Sequence, residues 1–117
     1  MTRLVTALSL MAALLFAPTF AAADFEPITT KADFVSLVVG KRLNFNDDHV
    51  KVRRNGKITG RFGGDALKGT WVWQDGYWCR TLTTHSKNTD CQLWETDGTD
   101  FRVTRAKGTG RSFVYTR

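Results

Sequence analysis

Three tryptophans and a tyrosine fall within eight residues of the stretch Gly69-Thr70-Trp71-Val72-Trp73-Gln74-Asp75-Gly76-Tyr77-Trp78-Cys79-Arg80. Indole faces at this density can stack a sugar or a base, and Arg80 beside them can clamp an anionic group. The same residues have a structural use. Tryptophans on facing strands give a small sheet area and cross-strand packing. Trp71, Trp73 and Trp78, with Trp94 further on, are therefore a platform or a core, and the core is the favoured reading. Arg80 is then the residue whose chemistry matters most.

A second constellation is electrostatic. Lys51, Arg53 and Arg61, with Arg54 and Lys57 nearby, share one side of an expected hairpin. Such a stripe can meet phosphates or acidic lipid headgroups through charge alone. Outward positions on any half-buried strand are also polar, so the stripe and Arg80 stand as anion-binding candidates.

Catalytic arrangements are thin. His49 and His85 are the only histidines, and no G-x-S-x-G occurs. His85 with Ser86 and Asp90 is close in sequence only. Asp47 and Asp48 read as turn residues, since no further ligand is spaced to complete a metal site with them. Glu26, Glu95 and Asp100 form no acid/base pattern. No catalytic residue, metal or cofactor is assigned.

The two cysteines, Cys79 and Cys91, are the chain's only ones, with eleven residues between them. That is not a CxxC redox spacing, and no histidine cluster completes a metal site, so a structural disulfide is expected. It would tie neighbouring strands across Thr83 to Asp90, worth about 3 kcal/mol in the loop-entropy picture. The compartment follows from the N-terminus. Arg3, the apolar run Leu4 to Ala17, Pro18 and then Ala21-Ala22-Ala23 form an export signal, with cleavage expected before Asp24. The run is too short to span a bilayer of about 30 Å as a helix. Residues 1–23 are thus the leader and 24–117 one small domain, expected to be periplasmic or secreted and soluble. Losing Arg3 leaves sixteen basic and eleven acidic residues, a net charge near +5 that favours anionic partners. No specific nucleic-acid partner is indicated.

Elements must position these groups. Pro27 is the last proline, consistent with an extended ladder after it. Thr29 or Thr30 can cap a short helix with Asp33 in its first turn; Phe34, Leu37 and Val38 make one apolar stripe, and Gly40 ends it. Strands are expected at 42–46, 49–54, 57–62, 70–74, 77–83, 91–96, 99–105 and 112–116. Around Asn55-Gly56, a three-residue loop Asn55-Gly56-Lys57 sets Val50 opposite Phe62 and Lys51 opposite Arg61. Two-residue turns at Asp75-Gly76 and Asp97-Gly98 set Trp73 against Trp78, Trp71 against Arg80, and Trp94 against Phe101. The fold class is mostly β (α+β): a short N-terminal helix packed on a curved antiparallel meander, or small barrel, of seven to eight strands.

The leader ending Ala22-Ala23-Asp24-Phe25, the helix Phe34-Val35-Ser36-Leu37-Val38-Val39-Gly40, and the Gly69–Arg80 motif with Cys91-Gln92 resemble a group of short, exported, uncharacterised alphaproteobacterial proteins. The resemblance covers most of residues 24–117 and implies architecture rather than an activity. Members often carry the label dihydrodipicolinate reductase. This sequence has no G-x-G-x-x-G loop to seat a nicotinamide dinucleotide, and no room for a dinucleotide fold plus a substrate domain. The expected function is non-enzymatic: binding or shielding an anionic envelope component through Lys51, Arg53 and Arg61. The alternative is a small ligand in an aromatic-lined cavity between helix and sheet, bounded by Trp71, Trp73 and Trp78. A secreted enzyme is the last reading.

Overall fold

Thr30 starts the α-helix as its spacing to Asp33 predicts. In the computed structural model, which describes residues 24–117, its hydroxyl accepts the Asp33 N–H at 3.2 Å, and α1 runs Lys31–Leu37. The expected leader, 1–23, lies outside the described residues. A seven-residue helix does not hold itself together in water. It persists here because Phe34 and Val38 are fully buried and Leu37 half-buried. Gly40 then turns the chain with φ +82°, its N–H donating to the Val52 carbonyl at 2.8 Å.

The strands are β1 (Glu26–Pro27), β2 (Arg42–Phe45), β3 (Asp48–Val52), β4 (Lys57–Phe62), β5 (Asp65–Gln74), β6 (Tyr77–Leu82), β7 (Thr89–Thr96), β8 (Phe101–Thr104) and β9 (Ser112–Tyr115). All pairings are antiparallel, and β2 to β9 follow in sequence order. Asn44 on β2 closes the sheet by exchanging hydrogen bonds with Thr116 just past β9, at 2.7 and 2.9 Å. The result is an eight-stranded up-and-down barrel, with β1 lying beside the second half of β7. Its alternation is plainest on β5, where Leu67, Gly69 and Trp71 are buried while Ala66, Lys68, Thr70 and Val72 are exposed. Two inward glycines permit the close strand approach. A Cβ on Gly69 would sit 2.6 Å from the Thr81 carbonyl, and one on Gly60 would collide with the His49 carbonyl.

α1 plugs one end of the barrel. The Phe34 ring packs within 5.2–6.1 Å of Trp71, Trp73, Trp78 and Trp94, edge-on to the last. Trp71 also donates its Nε1–H to the Arg53 carbonyl at 2.8 Å, tying the β3–β4 loop to this end. Trp71, Trp78 and Trp94 are therefore core, with Trp73 half-buried against them, all four organised by one phenylalanine.

Three local expectations need correction. The β3–β4 loop has three residues, but they are Arg54-Asn55-Gly56, so Val52 faces Ile58, Val50 faces Gly60, Lys51 faces Thr59 and His49 faces Arg61. Gly56 takes φ +84°, and the Asn55 side chain caps the Lys57 N–H, which closes the turn one residue early. The β7–β8 turn spans four residues because the Asp97 carboxylate accepts the N–H groups of Thr99 and Asp100 at 2.9 and 2.7 Å. Trp94 consequently faces Val103, with Phe101 opposite Thr96. Both slips equal two residues, so every side chain keeps its face. Finally, β5 begins at Asp65 rather than Thr70, and nine strands are present among the described residues. The Asp75-Gly76 register, Trp73 to Trp78 and Trp71 to Arg80, is as expected.

Candidate functional site

The four anion-binding candidates fall on opposite sides of the barrel wall. Lys51, Arg53 and Arg61 are outside; Arg80 is inside. On β6 the inward residues run Trp78, Arg80, Leu82 from the helix end toward the other end, so the arginine sits midway up the lumen. It is only 8% exposed.

Above it the barrel is hollow. A cavity of about 340 Å³ occupies the end opposite α1, at the small end of the range for ligand sites, about 300–1,000 Å³. Its walls form tiers. Trp78 lies lowest; Arg80, Gln92 and Tyr115 form a polar middle; Phe45, Phe62, Leu82 and Phe113 make an apolar collar; Arg105 and Arg111 stand at the rim. Of the four tryptophans singled out in the sequence, only Trp78 lines this space, and the place beneath the helix where the alternative reading put an aromatic cavity holds Phe34.

The hydrogen bonding of Arg80 is incomplete. Its Nη1 donates to the Asn88 carbonyl at 3.3 Å and the Asn88 Oδ1 at 3.0 Å, while Nε and Nη2 have no protein acceptor among the described residues. Asp90 is its cross-strand neighbour, yet no ion pair joins them. The Asp90 carboxylate is held elsewhere, accepting from Gln92 Nε2 at 2.9 Å and the Ala106 N–H at 3.1 Å. Burial pushes the Arg80 pKa down and Asp90 partly restores it. A guanidinium nevertheless remains charged in any protein setting. Burial likewise drives the Tyr115 phenol well above its ordinary range, against the opposing pull of Arg80 and Arg105. The middle tier thus presents a fixed cation, neutral polar groups and unused N–H donors. The Nε1–H of Trp78 is also buried without an acceptor, as is that of Trp94.

The loop between β6 and β7 holds this arrangement. Cys79 and Cys91 are bonded to one another and are directly opposed on the two strands. The bond lies one position from the Arg80/Asp90 pair and clamps the base of the segment that delivers Asn88. Its outer reach brings His85 and Ser86 to the cavity rim. The ring nitrogens of His85 lie 2.9 Å from Thr84 Oγ1 and 2.9 Å from the Phe62 carbonyl, and the Ser86 hydroxyl donates to Asn88. His85, Ser86 and Asp90 are therefore not linked as a relay. Among the described residues no group of three His, Cys, Asp or Glu side chains is placed to hold a metal.

Outside, Lys51, Arg53, Arg61 and Lys57 are joined by two residues the sequence reading passed over, Arg42 and Lys68. Arg42 faces Lys51 across β2 and β3, while Lys57 and Lys68 extend the group over β4 and β5. Partners here are neutral: Arg53 Nε donates to Thr59 at 3.0 Å and Arg42 Nε to Asn44 at 3.3 Å. His49 lies outward on this wall too, its Nδ1 3.3 Å from Arg42 Nη2.

Arg105, Arg111, Gln92 and Tyr115 were also missed as cavity residues. Their signal was phase. Gln92 keeps step with buried Trp94, and Arg105 with buried Phe101 and Val103, so a polar side chain in register with a buried row marks a lumen that is not fully packed. No family model, curated protein or solved structure matches this chain, so the geometry of the lumen and of the outer wall is what bears on function.

Proposed function

We propose that the barrel binds a small anion with an apolar body, its charged head against Arg80 and its body in the collar of Phe45, Phe62, Leu82 and Phe113. The observation that carries this is the buried guanidinium with unused Nε and Nη2 donors below an apolar passage. The two free donors are not sealed from solvent but open onto the cavity, where an entering acceptor can reach them. An acid head supplies both the charge and the acceptors, and two adjacent guanidinium N–H groups suit a carboxylate or phosphate fork. At about 30 Å³ per water-sized unit, the cavity has room for on the order of ten heavy atoms. A medium-chain or aryl acid has that size. What supports binding rather than catalysis is the absence of any nucleophile joined to a base at this rim among the described residues.

Octanoate is a suitable probe, followed by the fluorescence of Trp78 in the cavity wall. Octanoate is expected to bind, octanol to bind at least about tenfold more weakly, and Arg80→Met to remove the difference. Equal affinity for acid and alcohol, or an unchanged Arg80→Met variant, would overturn the reading.

We also propose that residues 1–23 are an export leader and that the barrel works in the periplasm or outside the cell. The bonded Cys79–Cys91 pair supports this, since such disulfides persist in oxidising compartments. No helix among the described residues is long and apolar enough to cross a membrane. The mass of the protein recovered from a periplasmic fraction tests it: a chain beginning at Asp24 is expected, and an intact Met1 terminus in the cytosol would refute it.

A further inference from the structure

We infer that the outer wall formed by β2 to β5 is a docking surface for an anionic lipid bilayer. The inference is independent of the cavity. It rests on how charge is divided around the barrel. The outward positions of β2 to β5 hold six cations, Arg42, Lys51, Arg53, Lys57, Arg61 and Lys68, if Arg53 at the end of β3 is included, and no carboxylate. Asp48 and Asp65 in these strands fall on the inward phase at the open end, and the Asp48 carboxylate accepts the Gly63 N–H.

The opposite wall shows what an ordinary solvated face of this protein looks like. Outward positions of β6 to β9 carry only two charged residues, Arg102 and Glu95, which pair through two hydrogen bonds of 2.9 and 3.0 Å. That is the one ion pair among the described residues. On the basic wall, by contrast, Arg42 and Lys51 stand directly opposite one another. Like charges in that position destabilise a sheet. A face evolved only for solubility would interleave both signs.

The form of the array favours a surface over a strand of nucleic acid. The cations are spread in two dimensions, strands lying about 4.8 Å apart and same-face residues about 7 Å apart along each strand. None of the outward positions of β2 to β5 holds a phenylalanine, tyrosine or tryptophan on which bases would stack. A bilayer of acidic headgroups offers a matching plane of dispersed negative charge and attracts each nearby lysine or arginine independently.

Residues 24–117, which hold every described element, are to be sedimented with vesicles of phosphatidylcholine alone and of equal parts phosphatidylcholine and phosphatidylglycerol. Binding to the anionic vesicles only is expected, with release at high salt as the screening length falls to about 3 Å near 1 M. Lys51→Gln/Arg61→Gln is expected to lower partitioning about 25-fold, near fivefold per cation. Lys51→Glu/Arg61→Glu is expected to abolish it. Lys87→Glu/Lys107→Glu makes the same change in net charge on exposed turns elsewhere and is expected to retain most binding. Equal binding to neutral vesicles, or equal loss in both glutamate variants, would overturn the inference. So would tighter binding to a single-stranded oligonucleotide at the same salt. A circular dichroism melt of each variant separates lost docking from lost fold.

Discussion

Arg80 and Asp90 face each other across β6 and β7 without forming an ion pair. The guanidinium turns to Asn88, and the carboxylate turns to Gln92 and the Ala106 N–H. A mutual pair would have neutralised the middle of the lumen. The divergence leaves a cation in the cavity and uses the anion to anchor the Arg105–Gly108 turn, where Ala106 and Lys107 take left-handed backbone with φ 51° and 53°.

Replacing Arg80 with methionine separates binding from stability. The variant removes a half-satisfied buried charge while Asp90 keeps both its donors. Its thermal stability is expected to stay within about 1 kcal/mol of the parent or to rise, while octanoate affinity falls at least about tenfold. A loss of several kcal/mol in a denaturant melt would show that Arg80 is structural.

Phe34→Ala attacks the other end. It empties the socket among the tryptophans and should cost about 3–5 kcal/mol, a large share of the stability of so small a domain. Denaturant unfolding measures this, with loss of the near-ultraviolet tryptophan signal as a second readout.

Reducing the disulfide, or the paired Cys79→Ser/Cys91→Ser change, is expected to cost about 2–4 kcal/mol. Because the bond lies beside the Arg80 row and below Asn88, octanoate affinity should fall in the reduced protein even at temperatures where the barrel remains folded. An affinity indifferent to reduction would uncouple the staple from the site.

Alkaline pH is expected to unfold the barrel through Tyr115. Its folded pKa lies above the unfolded value of about 10 because burial disfavours phenolate. The protonated phenol's contribution is therefore fully present below pH 10 and lost as pH rises beyond it. Spectrophotometric titration should show a late phenol ionisation that coincides with unfolding and disappears in Tyr115→Phe.

Much of this barrel was legible from alternation and turn residues, and what was missed has definite physical causes. The facing of Trp71, Trp73, Trp78 and Arg80 follows from one two-residue turn, and the outward phase of Lys51, Arg53 and Arg61 survives a two-residue error in register. Pairing partners were harder, because side-chain hydrogen bonds, one from the Lys57 N–H to Asn55 and two from Thr99 and Asp100 to Asp97, fix where the first turn sits and how long the second is. The start of β5 was hidden by Gly63, Gly64 and Gly69, which read as loop but belong to a tight hairpin and a close strand approach. The cavity was hardest. Arg80 lies on the β5–β6 hairpin while Arg105 and Arg111 flank the β8–β9 turn, and local periodicity does not say which distant residues share a height in a closed barrel.

The seam between Asn44 and Thr116 has a kinetic meaning. Seven strand pairings in the barrel join sequence neighbours and can form as local hairpins, whereas this one joins residues 44 and 116. Apart from the addition of β1 to β7, that seam is the one long closure in the fold, and its entropic cost grows only slowly with length. Until it is made, β2 and β9 are both free edges, each a template for another chain. Truncation near Arg117 should therefore slow refolding and promote strand-exchanged dimers before it measurably weakens the finished barrel.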